Sequence, residues 1–149
     1  MQSFKDHEQE LLKELLMLRV NFVVIGGAAV GLHGHRRDRK DLDILVSPED
    51  ENLDRLVDLD LTWRTFRQRD IDDWKVSSEA IQMPIRGVDL LKSTCSVPIE
   101  KVFSERVIFE VEGLSIPTIS KAHLITEKRC TATETDLTDV KALEGCKKI

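Results

Sequence analysis

The sequence has no apolar run approaching the ~18 residues of a membrane-spanning helix, which excludes that class of membrane protein. Its first residues, Met1-Gln-Ser-Phe-Lys-Asp-His-Glu8, are charged and carry no signal-peptide core, so a cytoplasmic location is expected. Cysteine is scarce. Cys95, Cys130 and Cys146 are odd in number, far apart and in no metal-ligand spacing, and they read as reduced structural thiols. A positive excess is also missing: 22 Lys and Arg stand against 27 Asp and Glu, a net charge of -5. That argues against a protein built mainly to coat nucleic acid, while leaving room for a local basic patch. No repeat, linker or low-complexity segment interrupts the chain.

What is present suits a globular protein. With 149 residues, 41% apolar and 33% charged, the chain is expected to form one domain, 1–149, with a real core. Residues 7–19 carry leucines 11, 12, 15, 16 and 18 at helical spacing, a stripe suited to the core or an oligomer contact, and Asn21 is a plausible stop. Phe22-Val-Val-Ile25 has the composition of a strand buried on both faces. A short helix over 28–33 follows, ended by Gly34. Asp41 to Val46 alternates as a strand, with Leu42, Ile44 and Val46 on one face and Asp41 and Asp43 on the other. Ser47-Pro-Glu-Asp50 signals a helix start with proline at the first helical position. Residues 61–80 are ambiguous, and packing is the plainer use of Trp63, Phe66 and Trp74 than base stacking. Two short strands joined through Arg86-Gly87 are predicted next, then a hairpin turning at Glu112-Gly113, then helices over about 120–130 and 135–145. Mixed helix and strand make an α+β or α/β domain the fold class.

The chemistry concentrates in Ile25 to Ile44. Gly26 and Gly27 sit where a buried strand turns into a helix. Glycine admits unusual backbone angles and close approach by a ligand, and a helix start offers free N–H groups to a phosphate. Taken alone, a tight turn is the plainer reading of so short a motif. No Gly-Lys-Ser/Thr follows, so this is not a Walker loop, and the spacing is not that of a dinucleotide fingerprint. Asp41 and Asp43 project the same way from a strand, about 6.5–7 Å apart. Such carboxylates can converge on paired Mg²⁺ ions that share them with substrate phosphates. The alternative is a solvated strand face. Asp89, in apolar Val88-Asp-Leu-Leu91, would be costly to bury unpaired. It could join the same ions and take a hydroxyl proton as general base, or it could point into water from an edge strand.

Gly26-Gly27, thirteen residues, Asp41-Leu42-Asp43 and then Asp89 together resemble the nucleotidyltransferase fold of the polymerase-beta type. Phe103-Ser-Glu-Arg106, the hairpin through Gly113 to Ser120, His123-Leu-Ile-Thr-Glu-Lys128 and Asp136-Leu-Thr-Asp139 extend the resemblance. It covers residues from about 20 onward and points to small bacterial stand-alone members, including abortive-infection and toxin–antitoxin relatives. The resemblance implies a short mixed sheet flanked by helices. It implies transfer of a nucleoside monophosphate from a nucleoside triphosphate to a hydroxyl, releasing pyrophosphate, with Mg²⁺ or Mn²⁺ as cofactor. Asp41, Asp43 and Asp89 match the metal-binding and catalytic acids. Gly26 and Gly27 match the turn that holds the triphosphate. Arg37 matches an arginine that contacts phosphate, and Lys128 matches a late-helix lysine near the triphosphate. The sequence departs at Gly27, where many relatives have serine, and at Arg39, where a small hydroxyl residue is common. It departs again at Cys130-Thr-Ala-Thr-Glu134, where relatives have a Gly/Arg/Pro-containing connection.

His33 and His35, next to Arg36 and Arg37, suggest solvent or phosphate contact rather than metal binding. Residues 33–40 hold four Arg/Lys and one Asp, a patch suited to screening triphosphate charge or an RNA acceptor. Two functional classes follow. One is a two-metal nucleotidyltransferase acting on an unknown protein, RNA or small-molecule acceptor. The other is a binding or regulatory module, half of a toxin–antitoxin or abortive-infection pair. A homo-oligomer is compatible with both.

Overall fold

The computed structural model describes residues 4–61, 64–77, 81–83 and 87–145. Trp63, Arg86 and Cys146 lie outside them. The first helix, α1, spans Asp6–Met17 and opens with the Lys5 N–H donating to the Glu8 carboxylate at 2.8 Å. Leu11, Leu12 and Leu15 are buried, so the leucine stripe serves the core. The helix ends earlier than the sequence suggested. Arg19 takes a left-handed backbone (φ 59) and Val20 N–H returns to Leu15 O at 3.0 Å, an end that closes the last turn. Asn21 is not the stop. Its backbone N–H and carbonyl instead bond the side chain of buried Asn52 at 2.7 and 3.0 Å.

Strand β1 (Phe22–Ile25) runs straight into helix α2 (Gly26–Leu32), so both glycines are inside the helix rather than before it. Strand β2 is Leu42–Val46, and Asp41 stands one residue ahead of it. Helix α3 (Asp50–Asp54) starts at Asp50 with Glu49 as its cap, which leaves Pro48 outside rather than at the first helical position. A 3-10 turn (Arg55–Asp58) and the two-residue strand β3 (Asp60–Leu61) lead into the ambiguous stretch, whose described residues include strand β4 (Arg64–Thr65) and helix α4 (Gln68–Lys75). Phe66 and Trp74 are buried there and pack the core. Strands β5 (Ile81–Met83) and β6 (Val88–Leu91) pair antiparallel. Helix α5 is Ile99–Ser104. Strands β7 (Val107–Val111) and β8 (Leu114–Thr118) form the expected hairpin, with Glu112 (φ 51) and Gly113 (φ 81) both left-handed as a tight right-twisted turn requires. Helices α6 (Lys121–Thr131) and α7 (Glu134–Gly145) follow it.

The main sheet has strand order β5-β6-β2-β1-β8-β7. Its centre is mixed: β1 pairs antiparallel with β2, while β2–β6 and β1–β8 are parallel. Val23, Val24, Ile44, Leu45 and Leu90 are fully buried, so the centre is covered on both faces. This is the α+β architecture expected from the sequence, with its two acid-bearing strands adjacent. No helix among the described residues is long and apolar enough to cross a membrane.

Candidate nucleotide site

Sheet register builds the site. Asp43 on β2 stands opposite Ile25 on one side and Asp89 on the other, so the glycine turn and the third acid flank the same carboxylate. Gly26 has φ +65, and a Cβ built on it would overlap the Asp43 carboxylate. Only glycine fits between that acid and the turn. Gly87 (φ +63) plays a similar part for Asp41. Its carbonyl accepts Leu42 N–H at 2.8 Å, and a Cβ there would come within 3.0 Å of the Lys40 carbonyl.

The acids are close enough to change one another. Burial, the charges of Asp89 and Asp41, and a hydrogen bond with Asp89 push the Asp43 carboxyl up to about 6, against a smaller pull from Lys128. Burial and Asp41 also raise Asp89, while the hydrogen bond from Asp43 works the other way. Of the two acids Asp43 is therefore the one that takes up a proton as pH falls toward 6, and it then donates to Asp89. A cluster that retains a proton for want of a countercharge has the donor chemistry for a hard cation. Among the described residues, no group of three or more His, Cys, Asp and Glu side chains is placed to hold a metal ion.

Across from the acids, Lys128 on α6 is held by two carboxylates of α7, Asp136 at 3.0 Å and Asp139 at 3.1 Å. Arg37 makes a two-pronged pair with the same Asp139, both bonds 2.7 Å. Asp139 is fully buried. A cleft of about 260 Å³ opens between the two sides, with Gly26, Asp43, Lys128 and Asp136 in its lining.

No protein-family model matches the sequence, and no curated protein matches it. Solved structures do. The lincosamide antibiotic adenylyltransferase LnuA, in its lincomycin-bound form, superposes with TM-score 0.59 at 16% identity, covering 95% of this chain and 97% of the other. An antigenic nucleotidyltransferase-like protein from Paracoccidioides brasiliensis gives 0.54 at 16% identity, covering 90% of this chain and 72% of its own. A Thermotoga maritima protein provisionally assigned as a nucleotidyltransferase gives 0.50 at 17%, covering 91% and 85%. This chain has the nucleotidyltransferase fold.

Within the nucleotidyltransferase fold, the residues singled out from sequence separate into two groups. Gly26, Asp43 and Lys128 face one cleft, and Asp89 and Asp41 adjoin Asp43. Gly27 and Arg37 lie beside it. A Cβ at Gly27 would stand 3.3 Å from Arg37 Nη2 and 3.2 Å from the Arg39 Cβ, tighter than ordinary contact. A side chain at Gly27 would need the two arginines to give way by a few tenths of an ångström. Arg39 pairs with Glu8 of α1 at 2.7 Å and lies 5.8 Å over the Phe4 ring, so the basic run is partly structural. Burial would raise the Glu8 carboxyl, yet its bonds from Arg39 and the Lys5 N–H bring it below the usual range.

His33 does not reach into solvent for phosphate. Its Nε2 bonds the Ile119 carbonyl at 2.8 Å, and its ring meets Phe109 edge-on at 5.0 Å. The free-thiol reading of two cysteines is also corrected. Cys95 and Cys130 form a disulfide, their Cα atoms 6.1 Å apart, because α6 packs beside the loop after β6. Sequence reasoning missed Asp136, Asp139 and Gly87 as site residues. The Asp136–Asp139 spacing of one helical turn, facing a lysine, was the available signal.

Proposed function

We propose that this protein transfers a nucleoside monophosphate from a nucleoside triphosphate to an acceptor hydroxyl. The reading is carried by one observation: the half-buried Asp43 carboxyl, flanked by Asp89, Asp41 and a glycine turn that admits no side chain, at the edge of a cleft with Lys128 opposite. Mg²⁺ or Mn²⁺ held by Asp41, Asp43 and Asp89 would neutralise phosphate charge and orient the triphosphate. Asp89, the more exposed acid of the pair, takes the proton of the attacking hydroxyl. The hydroxyl oxygen bonds the α-phosphorus, the α–β phosphoanhydride bond breaks, and pyrophosphate leaves with the electron pair. Lys128 supplies positive charge to the leaving side, and Gly26 lets the phosphate approach the backbone.

A small-molecule hydroxyl is the favoured acceptor. The lincomycin-bound adenylyltransferase spans almost the same length, so no further domain is needed to hold one. The test is direct. Each labelled triphosphate with Mg²⁺ is incubated with a panel of hydroxylated small molecules, RNA and protein, using wild type and Asp43→Ala. Transfer by wild type alone supports the reading. No transfer, with equal triphosphate binding by both proteins, overturns it.

The ion pairs that already occupy Arg37 and Lys128 favour a second reading, a regulatory module of a toxin–antitoxin or abortive-infection pair. It requires a copurifying partner and a growth phenotype indifferent to Asp43→Ala.

A further inference from the structure

Two segments of the cleft rim are tied together twice. Cys95 lies in the loop that leaves β6, the strand of Asp89, and Cys130 lies near the end of α6, the helix of Lys128; their sulfurs are bonded. One turn before Cys130, the Glu127 carboxylate accepts the N–H groups of Cys95 and Ser96 at 2.7 Å and of Val97 at 2.9 Å, and the Ser96 hydroxyl at 3.0 Å. Burial opposes the charge on Glu127, but these four donors together hold its carboxyl below the usual range. Cys95, Glu127, Lys128 and Thr131 share the cleft lining with Asp43. Both cysteines are exposed, so reagents in solution reach the bond.

We propose that Cys95–Cys130 is a reversible thiol–disulfide exchange site that clasps the rim of the cleft, with small-molecule thiols and their disulfides as its redox partners. A thiolate of the reagent attacks one bridge sulfur, the S–S bond breaks, and a mixed disulfide forms. A second thiolate releases the reagent as its own disulfide. Two electrons have then passed to the protein, and Cys95 and Cys130 each carry a proton as thiols. Closed, the clasp joins the β6 loop to the segment of α6 that presents Lys128. Open, the loop keeps the Glu127 hydrogen bonds but loses its covalent tie to α6, and the cleft loses part of its preorganisation. Exposure of the bond and its place between the two sides of the cleft are the grounds for this.

Its consequence for triphosphate rests on the function proposed above. Reduction is expected to weaken binding about 5- to 10-fold, the low end of common coupling between sites. By linkage, saturating triphosphate makes the bridge harder to reduce by the same factor.

The full chain carrying Cys146→Ser is equilibrated across a glutathione redox series, and Cys95 and Cys130 are quantified by thiol labelling and mass spectrometry. The Kd for Mg²⁺ with a non-hydrolysable ATP analogue is measured for the oxidised protein, the reduced protein and the Cys95→Ser variant. Hydrogen exchange of residues 95–97 and 128–131 is followed in both redox states. Reversible exchange, a weaker Kd on reduction matched by Cys95→Ser, and faster amide exchange support the clasp. Thiols that label fully under oxidising conditions, or a Kd equal in both states, overturn it. If the analogue binds in neither state, the nucleotide reading fails. Hydrogen exchange then decides the clasp alone: faster exchange on reduction supports it, and unchanged exchange overturns it.

Discussion

Asp43 and Asp89 stand side by side in register on two parallel strands, and burial together with a hydrogen bond between them raises the Asp43 carboxyl to about 6. Local alternation along either strand gives no hint of this pairing. It arises because β6 enters the sheet next to β2, which brings two acids 46 residues apart against each other. The pair concentrates negative charge beside the cleft, and the two carboxylates repel each other when both are ionised.

Asp43→Asn should therefore separate activity from stability. Nucleotidyl transfer is expected to fall about 10²–10³-fold, because one of the carboxylates proposed to hold the divalent ion is lost. The same variant should melt above the wild type at pH 7.5, because a repulsive charge has gone. A transfer assay beside thermal denaturation checks both. A variant that loses activity and also melts lower would contradict the electrostatic account.

The pH dependence has a definite sign. The Asp43 carboxyl titrates near 6 in the folded protein, above the ordinary value of 3.8. The stability tied to its proton is fully present below 3.8 and is lost as pH rises through 6. In chelator, the protein is expected to lose up to about 3 kcal/mol across that range. Asp136 acts in the other direction and lower down. Burial would raise it, but bonds from Thr131, Lys128 and Thr133 bring it to about 2, so its contribution fades only as pH falls from 3.8 toward 2. Melting temperatures from pH 5 to 8, for wild type and Asp43→Asn, test the sign: the slope should be negative for the first and near zero for the second.

Gly26→Ala meets two obstacles at once. The left-handed backbone costs about 1–2 kcal/mol for a residue with a Cβ, and that Cβ collides with the Asp43 carboxylate. Chemical denaturation should show at least that loss, with triphosphate affinity reduced as well. Gly31→Ala is the matched control within α2, since a Cβ there meets nothing within 4 Å. Equal behaviour of the two variants would show that the close approach at Gly26 does not matter.

Asp139→Ala leaves Arg37 and Lys128 each without a principal counterion. Breaking a buried pair by removing one partner costs about 3–5 kcal/mol. The lower end is expected here, because Arg37 is 25% exposed. Urea denaturation gives the magnitude. Asp139→Asn should recover part of it by keeping hydrogen-bond acceptance, and a full recovery would show that charge is not what matters.

Much of the fold was legible in the chain. β-Branched residues at Phe22–Ile25, the alternation from Leu42 to Val46 and the Glu112-Gly113 turn are local signals, and the strands and hairpin lie where they pointed. Element ends were less legible. Arg19 rather than a helix breaker stops α1, because the left-handed end is set by backbone bonds and not by side-chain type. The acids of the site were visible as charges in apolar strands. The partners of its cations were not: Arg37 was read as a phosphate contact, yet it grips a residue 102 positions away.

By itself the sequence determined the strands, most of the helices and the turns, because each is encoded by neighbours within a few residues, through periodicity and backbone sterics. Tertiary structure alone decided that Asp89 raises the Asp43 carboxyl, that Asp139 binds both Arg37 and Lys128, that His33 serves the Ile119 carbonyl, and that Cys95 meets Cys130. Charge pairing, proton affinity and disulfide contact depend on distances of a few ångströms between distant segments. Those distances exist only once the sheet order and the packing of α6 and α7 are set.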